Sequence, residues 1–196
     1  MSGIPMIGFA AYSGTGKTTL IEKLVVCLKE KGLRVAVVKH DAHQIDIDRE
    51  GKDSWRFTEA GADMSVVCSA EKTAYIEKRS LSFKDVISQV HDVDLILVEG
   101  FKKEAIPQIG ICRKETGKGF TADLRRYRVI VPDEEIVDNV MIRSGEKIAD
   151  HVPVFGFEDI EKIAEFIMKN MNDFTHFNEQ GRANMVDVGA KDVTCR

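Results

Sequence analysis

Ala11-Tyr12-Ser13-Gly14-Thr15-Gly16-Lys17-Thr18-Thr19 joins an apolar run, Ile4-Pro5-Met6-Ile7-Gly8-Phe9-Ala10, to a segment carrying Leu20, Ile21, Leu24, Val25 and Leu28 on one helical face. Strand, glycine-rich loop, helix is the context that a phosphate-binding loop requires. Gly14 and Gly16 let the backbone turn so that the N–H groups of Ser13 to Thr19 point inward. These donors and the helix N-terminus surround a triphosphate. Lys17 reaches the outer phosphates, and the Thr18 hydroxyl is the expected Mg²⁺ ligand. Ala11 replaces the first glycine of the usual pattern, which is acceptable if its φ is negative.

The 196 residues carry 43% hydrophobic side chains and a net charge of −4. That supports one α/β domain with an appendage and argues against a general nucleic-acid binder. No apolar run is long enough for a membrane span, and no signal peptide is visible, so a cytoplasmic location is expected. Cys27, Cys68, Cys112 and Cys195 are scattered. Cys27 and Cys68, in apolar surroundings, are expected to be reduced core thiols, and no zinc set is expected.

The runs Ile4–Ala10, Val35–Lys39, Met64–Cys68, Leu95–Val98, Val129–Val131 and Val152–Phe155 read as buried parallel strands. Thr73–Glu77 and Gln108–Arg113 read as shorter or edge strands, or a projecting hairpin. Helical patterns fall over Thr18–Glu30, Ser54–Ala60 and Phe83–His91, the last after a Ser82 cap. Ile160, Ile163, Ala164, Ile167, Met168 and Met171 mark a final amphipathic helix. The alternation predicts an α/β P-loop NTPase fold, a mostly parallel doubly wound sheet with helices on both faces. The expected domain spans residues 1–172. Residues 173–196, polar and aperiodic, are expected to form a linker or tail.

A second signal is Asp94-Leu95-Ile96-Leu97-Val98-Glu99-Gly100. Glu99 ends an apolar strand, so its carboxylate is expected at the sheet edge where open α/β folds bind ligands, close to Mg²⁺. Gly100 would let the backbone approach the γ-phosphate. A third signal runs from Lys39 to Ser54 and includes His40, His43, Asp46 and Asp48. It is expected to act as a switch-like loop sensing nucleotide and Mg²⁺. A His/Asp metal site and a merely solvated loop are the alternatives.

Together these segments resemble the molybdopterin-guanine dinucleotide biosynthesis protein B (MobB) family. The match rests on Ser13-Gly14-Thr15-Gly16-Lys17-Thr18-Thr19, on Lys39-His40 with His43, Asp46 and Asp48, and on Gly51-Lys52-Asp53-Ser54. Ala60-Gly61-Ala62 and Leu97-Val98-Glu99-Gly100-Phe101-Lys102 complete it. Ala42 stands where the family often has histidine. The resemblance implies binding of GTP with Mg²⁺, weak GTP hydrolysis and a homodimer. It also implies a partnership with the guanylyltransferase that attaches GMP to molybdopterin, with molybdopterin itself a possible ligand. Carried over residue by residue, Ser13 to Thr19 hold the phosphates. Glu99 carries over as the strand-end acidic group; from the residues themselves Lys17 is the expected catalytic cation that stabilises charge on the transferring phosphoryl group, Thr18 the expected Mg²⁺ ligand, and Glu99 the expected catalytic acid group that orders Mg²⁺ or the attacking water. Asp46, Asp48 and Gly100 lie near the nucleotide.

The tail from Phe174 to Gly189, with Gly181-Arg182-Ala183 and Met185-Val186-Asp187-Val188, resembles the first residues of the cyclic pyranopterin monophosphate synthase (MoaC) family. It is expected to be the start of a fused domain of that kind.

Two other functions fit a P-loop fold, a small-molecule kinase and a non-catalytic carrier of nucleotide or pterin. A kinase needs a basic lid, and Arg125-Arg126-Tyr127-Arg128 is the one dense basic patch. Val131-Pro132-Asp133 puts an aspartate at a strand end, where it could accept from guanine N1 and N2. No Asn-Lys-x-Asp sequence supports that role, and GTP preference rests on the family resemblance.

Overall fold

A computed structural model describes residues 3–41, 47–116, 119–121, 124–133 and 152–175. In chain order the elements are β1 (Met6–Ala10), α1 (Lys17–Glu30), β2 (Val35–Lys39), α2 (Asp53–Glu59), β3 (Met64–Cys68) and β4 (Thr73–Glu77). There follow α3 (Phe83–Ser88), β5 (Leu95–Glu99), β6 (Gln108–Cys112), β7 (Tyr127–Pro132) and α4 (Ile160–Lys169). The chain divides into two units, Met1–His40 with Val90–Arg196, and Asp41–Gln89.

The first unit is built on a parallel five-stranded sheet of order β2-β5-β1-β6-β7. β1 is central and wholly buried. The chain leaves it towards β2 on one side and later reaches β6 on the other. This is the switch point at which open α/β sheets bind ligands, outside the carboxyl ends of the strands. The phosphate-loop sequence occupies that end of β1. Alternate residues Ile7, Phe9, Leu95, Leu97, Ile109, Ile111, Val129 and Val131 share one core with Leu20, Leu24 and Leu28 of α1 and Ile163, Ala164 and Ile167 of α4. α1 and α4 therefore lie on the same face. Each fully buried leucine or isoleucine there contributes about 1.5–3 kcal/mol. On the opposite face Ala10, Cys112 and Ile130 pack with Phe120 and Tyr127.

Three strand expectations are corrected. Gln108–Cys112 is not an edge strand. It lies buried between β1 and β7. Its polar and glycine positions hid this, yet a Cβ on Gly110 would stand 2.7 Å from the Tyr127 ring, so the glycine serves close packing. Met64–Cys68 does not join the parallel sheet. It pairs antiparallel with β4 in the second unit, with Val66 opposite Tyr75, which leaves Cys68 exposed and not a core thiol, whereas Cys27 is buried. The turn Ser69-Ala70-Glu71-Lys72 is far too short for a parallel crossover, which needs about a dozen residues. Val152–Phe155 supplies only a bridge from Val154 to Ile130 on the outer edge of β7. Pro153 has no N–H to extend the ladder.

In the second unit Ser82 caps α3, its hydroxyl accepting from the Asp85 N–H at 3.2 Å. In the first unit the core runs past residue 172, because Phe174, in a 3₁₀ turn over Met171–Phe174, is completely buried. Among the described residues no helix is long and apolar enough to cross a membrane.

Candidate functional site

The loop after β1 closes on itself, with the buried Thr15 hydroxyl donating to the Tyr12 carbonyl at 2.9 Å. Ala11 is buried in the core and its φ is not positive, so it substitutes for glycine without strain. Gly14 and Gly16 both sit in the left-handed region, at φ 83 and 77. Gly16 is the N-cap of α1 and supplies no side-chain cap, and the first turn of α1 holds no acidic residue. The first N–H groups of a helix have no intrahelical acceptors, and the helix dipole favours an anion beside them. Ser13, Gly14, Thr18 and Thr19 are exposed around this terminus.

Two neighbouring strands flank the loop. β5 delivers Glu99 at its last position, beside Phe9 of β1 and Lys39 of β2. Its Oε1 stands 3.5 Å from Lys17 Nζ, and the two side chains are only 12% and 17% exposed. The expected cation and the expected carboxylate are thus brought together. Gly100 follows at φ 89, and a Cβ there would run into the His40 backbone. The turn continues in Phe101 at φ 47, a conformation seldom kept by a side chain of that size. The Phe101 ring lies 4.7 Å from the His40 ring, and the Glu99 carbonyl accepts from the His40 N–H at 2.8 Å.

The other flank was not foreseen from the sequence. Arg113, directly after β6, donates from Nε to the Thr15 carbonyl at 3.4 Å and from Nη1 to Asp133 Oδ1 at 3.0 Å. Its guanidinium carbon lies 3.9 Å from the Phe157 ring centroid. Asp133 Oδ2 also accepts from the Lys114 N–H at 2.8 Å. Both Asp133 oxygens are therefore engaged within the protein. A Cβ on Gly16 would come within 2.9 Å of Phe157, so this cluster packs directly on the loop. The available signal was positional, since Arg113 ends an apolar strand just as Glu99 does. Burial and the Asp133 carboxylate push the neighbouring Cys112 thiol up, which keeps it protonated.

The charged loop after β2 is only partly described. Asp48 belongs to the second unit, where its Oδ1 accepts from the Ser54 hydroxyl at 2.9 Å. Asp46 and His43 lie outside the described residues. Among the described residues no three His, Cys, Asp or Glu side chains converge as metal ligands. The basic patch does not form a lid on the site. Arg126 donates to the Glu104 carbonyl at 2.8 Å and Arg128 to the Arg125 carbonyl at 3.0 Å. Arg126 directly precedes β7 and Arg128 lies at its start, the sheet end opposite the phosphate loop.

A family model described as molybdopterin guanine dinucleotide synthesis protein B matches residues 6–132. The chain is 35% identical over 176 residues to the molybdopterin-guanine dinucleotide biosynthesis adapter protein of Escherichia coli K12, covering 86% of this chain and 94% of that one. The fold is that of the MobB crystal structure from Bacillus subtilis, with a TM-score of 0.65 at 23% identity over 86% of this chain and 98% of that chain. A further 26 residues are 69% identical to a cyclic pyranopterin monophosphate synthase of Halalkalibacterium halodurans, covering 13% of this chain and 16% of that protein.

Proposed function

Because the chain belongs to the molybdopterin guanine dinucleotide synthesis protein B family, we propose that it is a GTP-binding, weakly GTP-hydrolysing adapter of molybdenum cofactor assembly. The observation that carries this reading is the uncapped α1 N-terminus at Gly16, with the Lys17–Glu99 pair beside it. The N–H groups of Ser13 to Thr19 would hold the β- and γ-phosphates. Lys17 would leave Glu99 for the outer phosphates and stabilise charge there during phosphoryl transfer. The Thr18 hydroxyl and the Glu99 carboxylate are hard oxygen donors and fit Mg²⁺. When bound, Mg²⁺ would supply positive charge against the outer phosphates. Glu99 would then orient water for a slow hydrolysis, and Gly100 lets the backbone approach at that point.

The preference for GTP and the partnership with a guanylyltransferase acting on molybdopterin are proposed on the family resemblance, and the adapter role on the name of the E. coli relative. A homodimer is proposed on the same ground. The half-exposed Met64 and Val66 and the exposed Tyr75 on the hairpin give it an apolar surface to bury. The tail is proposed to be a segment related to pyranopterin synthases, on the strength of 69% identity over 26 residues.

Titration of the wild type and Lys17→Ala with labelled GTP and Mg²⁺ tests the assignment, and equal affinities refute it. Steady-state turnover with and without a guanylyltransferase partner then separates a weak GTPase from an adapter that only carries nucleotide.

A further inference from the structure

Arg113 is held on three sides by Asp133, the Phe157 ring and the Thr15 carbonyl. Asp133 is itself fixed by the Lys114 N–H. A long, flexible side chain held in this way is placed, not left sweeping through solvent. What it touches matters more than its charge. In a trans peptide the carbonyl of one residue and the N–H of the next point in opposite directions. Drawing the Thr15 carbonyl to the β6 side therefore turns the Gly16 N–H away from that side. Gly16 immediately precedes α1, where a phosphate-binding loop offers its amides. The guanidinium also polarises the Thr15–Gly16 peptide, which strengthens its N–H as a donor. The contact cannot slacken inward, because Phe157 already fills the space beside the Gly16 Cα.

We propose that Arg113 is a positioning residue of the phosphate loop. Clamped between Asp133 and Phe157, it holds the Thr15 carbonyl so that the Gly16 N–H is presented to nucleotide phosphate. The proposal rests on the nucleotide-binding reading above. It gives Asp133 the task of holding the arginine and not of reading a guanine edge.

The test compares wild type with Arg113→Met, Arg113→Lys, Asp133→Asn and the Arg113→Met/Asp133→Asn double variant. Each is titrated with Mg²⁺ complexes of GTP, GDP and ITP, the last lacking the guanine amino group. Arg113→Met should weaken all three nucleotides alike, by about five- to twentyfold, since a phosphate-loop amide is common to them. Arg113→Lys should recover part of the loss. Asp133→Asn should reproduce much of it, and the double variant should bind no worse than Arg113→Met. Without nucleotide, the Gly16 amide proton should move upfield in Arg113→Met, a shift that a general loss of packing would not confine to that peptide. Unchanged affinity with an unmoved Gly16 resonance overturns the proposal alone. A collapse of the GTP-to-ITP preference also overturns it, because the cluster would then read the base. A wild type that binds none of the nucleotides overturns the site itself and this proposal with it. If Arg113→Met fails to fold, Arg113→Lys and Asp133→Asn carry the same comparison.

Discussion

Lys17 and Glu99 form an ion pair at 3.5 Å although one begins α1 and the other ends β5. The pairing of β1 with β5 sets Phe9 beside Glu99, so the strand-end carboxylate faces the helix start by register alone. In the free protein each side chain satisfies the other's charge.

Lys17→Ala removes the cation expected at the outer phosphates. A charge-assisted contact of this kind is worth about 1.5–3 kcal/mol, so GTP affinity should fall roughly ten- to a hundredfold. Glu99→Gln should act differently. It keeps the shape, frees Lys17 and removes a hard ligand, so the Mg²⁺ dependence of GTP binding should weaken. Titrations with and without Mg²⁺ check both. An unchanged Mg²⁺ dependence in Glu99→Gln would remove Glu99 from the metal site.

Turnover by the isolated chain should be slow, on the order of 10⁻⁴ to 10⁻² s⁻¹, as for GTPases acting without a partner. Arg113 does not change this expectation, because its guanidinium is tied to Asp133 and to the outward Thr15 carbonyl. A steady-state rate above about 1 s⁻¹ without a partner would show that a further catalytic group is present.

Phe174 belongs to the core. Phe174→Ala empties a fully buried site beside β1 and α4 and should cost about 3–5 kcal/mol, seen as a lower melting temperature. Deleting residues 176–196 should leave both the melting temperature and GTP affinity unchanged, since every group assigned to the site precedes them. A drop of several degrees in that deletion would place part of the core beyond residue 175.

Asp94 sits at the entry to β5 and accepts from Arg34 Nη2 and from the Arg34 N–H, each at 2.8 Å. These bonds hold its carboxyl down at about 2. The unfolded value is about 3.9. A depressed carboxyl contributes stability above its unfolded value and loses it as pH falls towards the folded one. Asp94→Asn should therefore flatten the acid limb of stability between about pH 4 and 2 while leaving GTP binding intact. Chemical denaturation across that range is the measurement, and an identical acid limb in the variant would refute the assignment.

Contiguous residues carry what can be read without the fold. Gly14, Gly16, Lys17 and Thr18 announce the phosphate loop because turn geometry and helix start are local properties. Glu99 is announced because an apolar run must end where its strand leaves the sheet. α1 and α4 were legible from the spacing of their apolar residues. Folding alone chose which strands became neighbours. It seated Gln108–Cys112 inside the sheet and turned Met64–Cys68 into half of a hairpin, since pairing partners depend on connection length and on packing across the fold. It carried the core on to Phe174, whose burial depends on what surrounds it. It also assembled Arg113, Asp133 and Phe157 beside Thr15 from three separate stretches of chain. No spacing links those residues. The meeting of Thr15, Arg113 and Asp133 is fixed by the parallel order of β1, β6 and β7, which brings the carboxyl ends of all three strands to one edge.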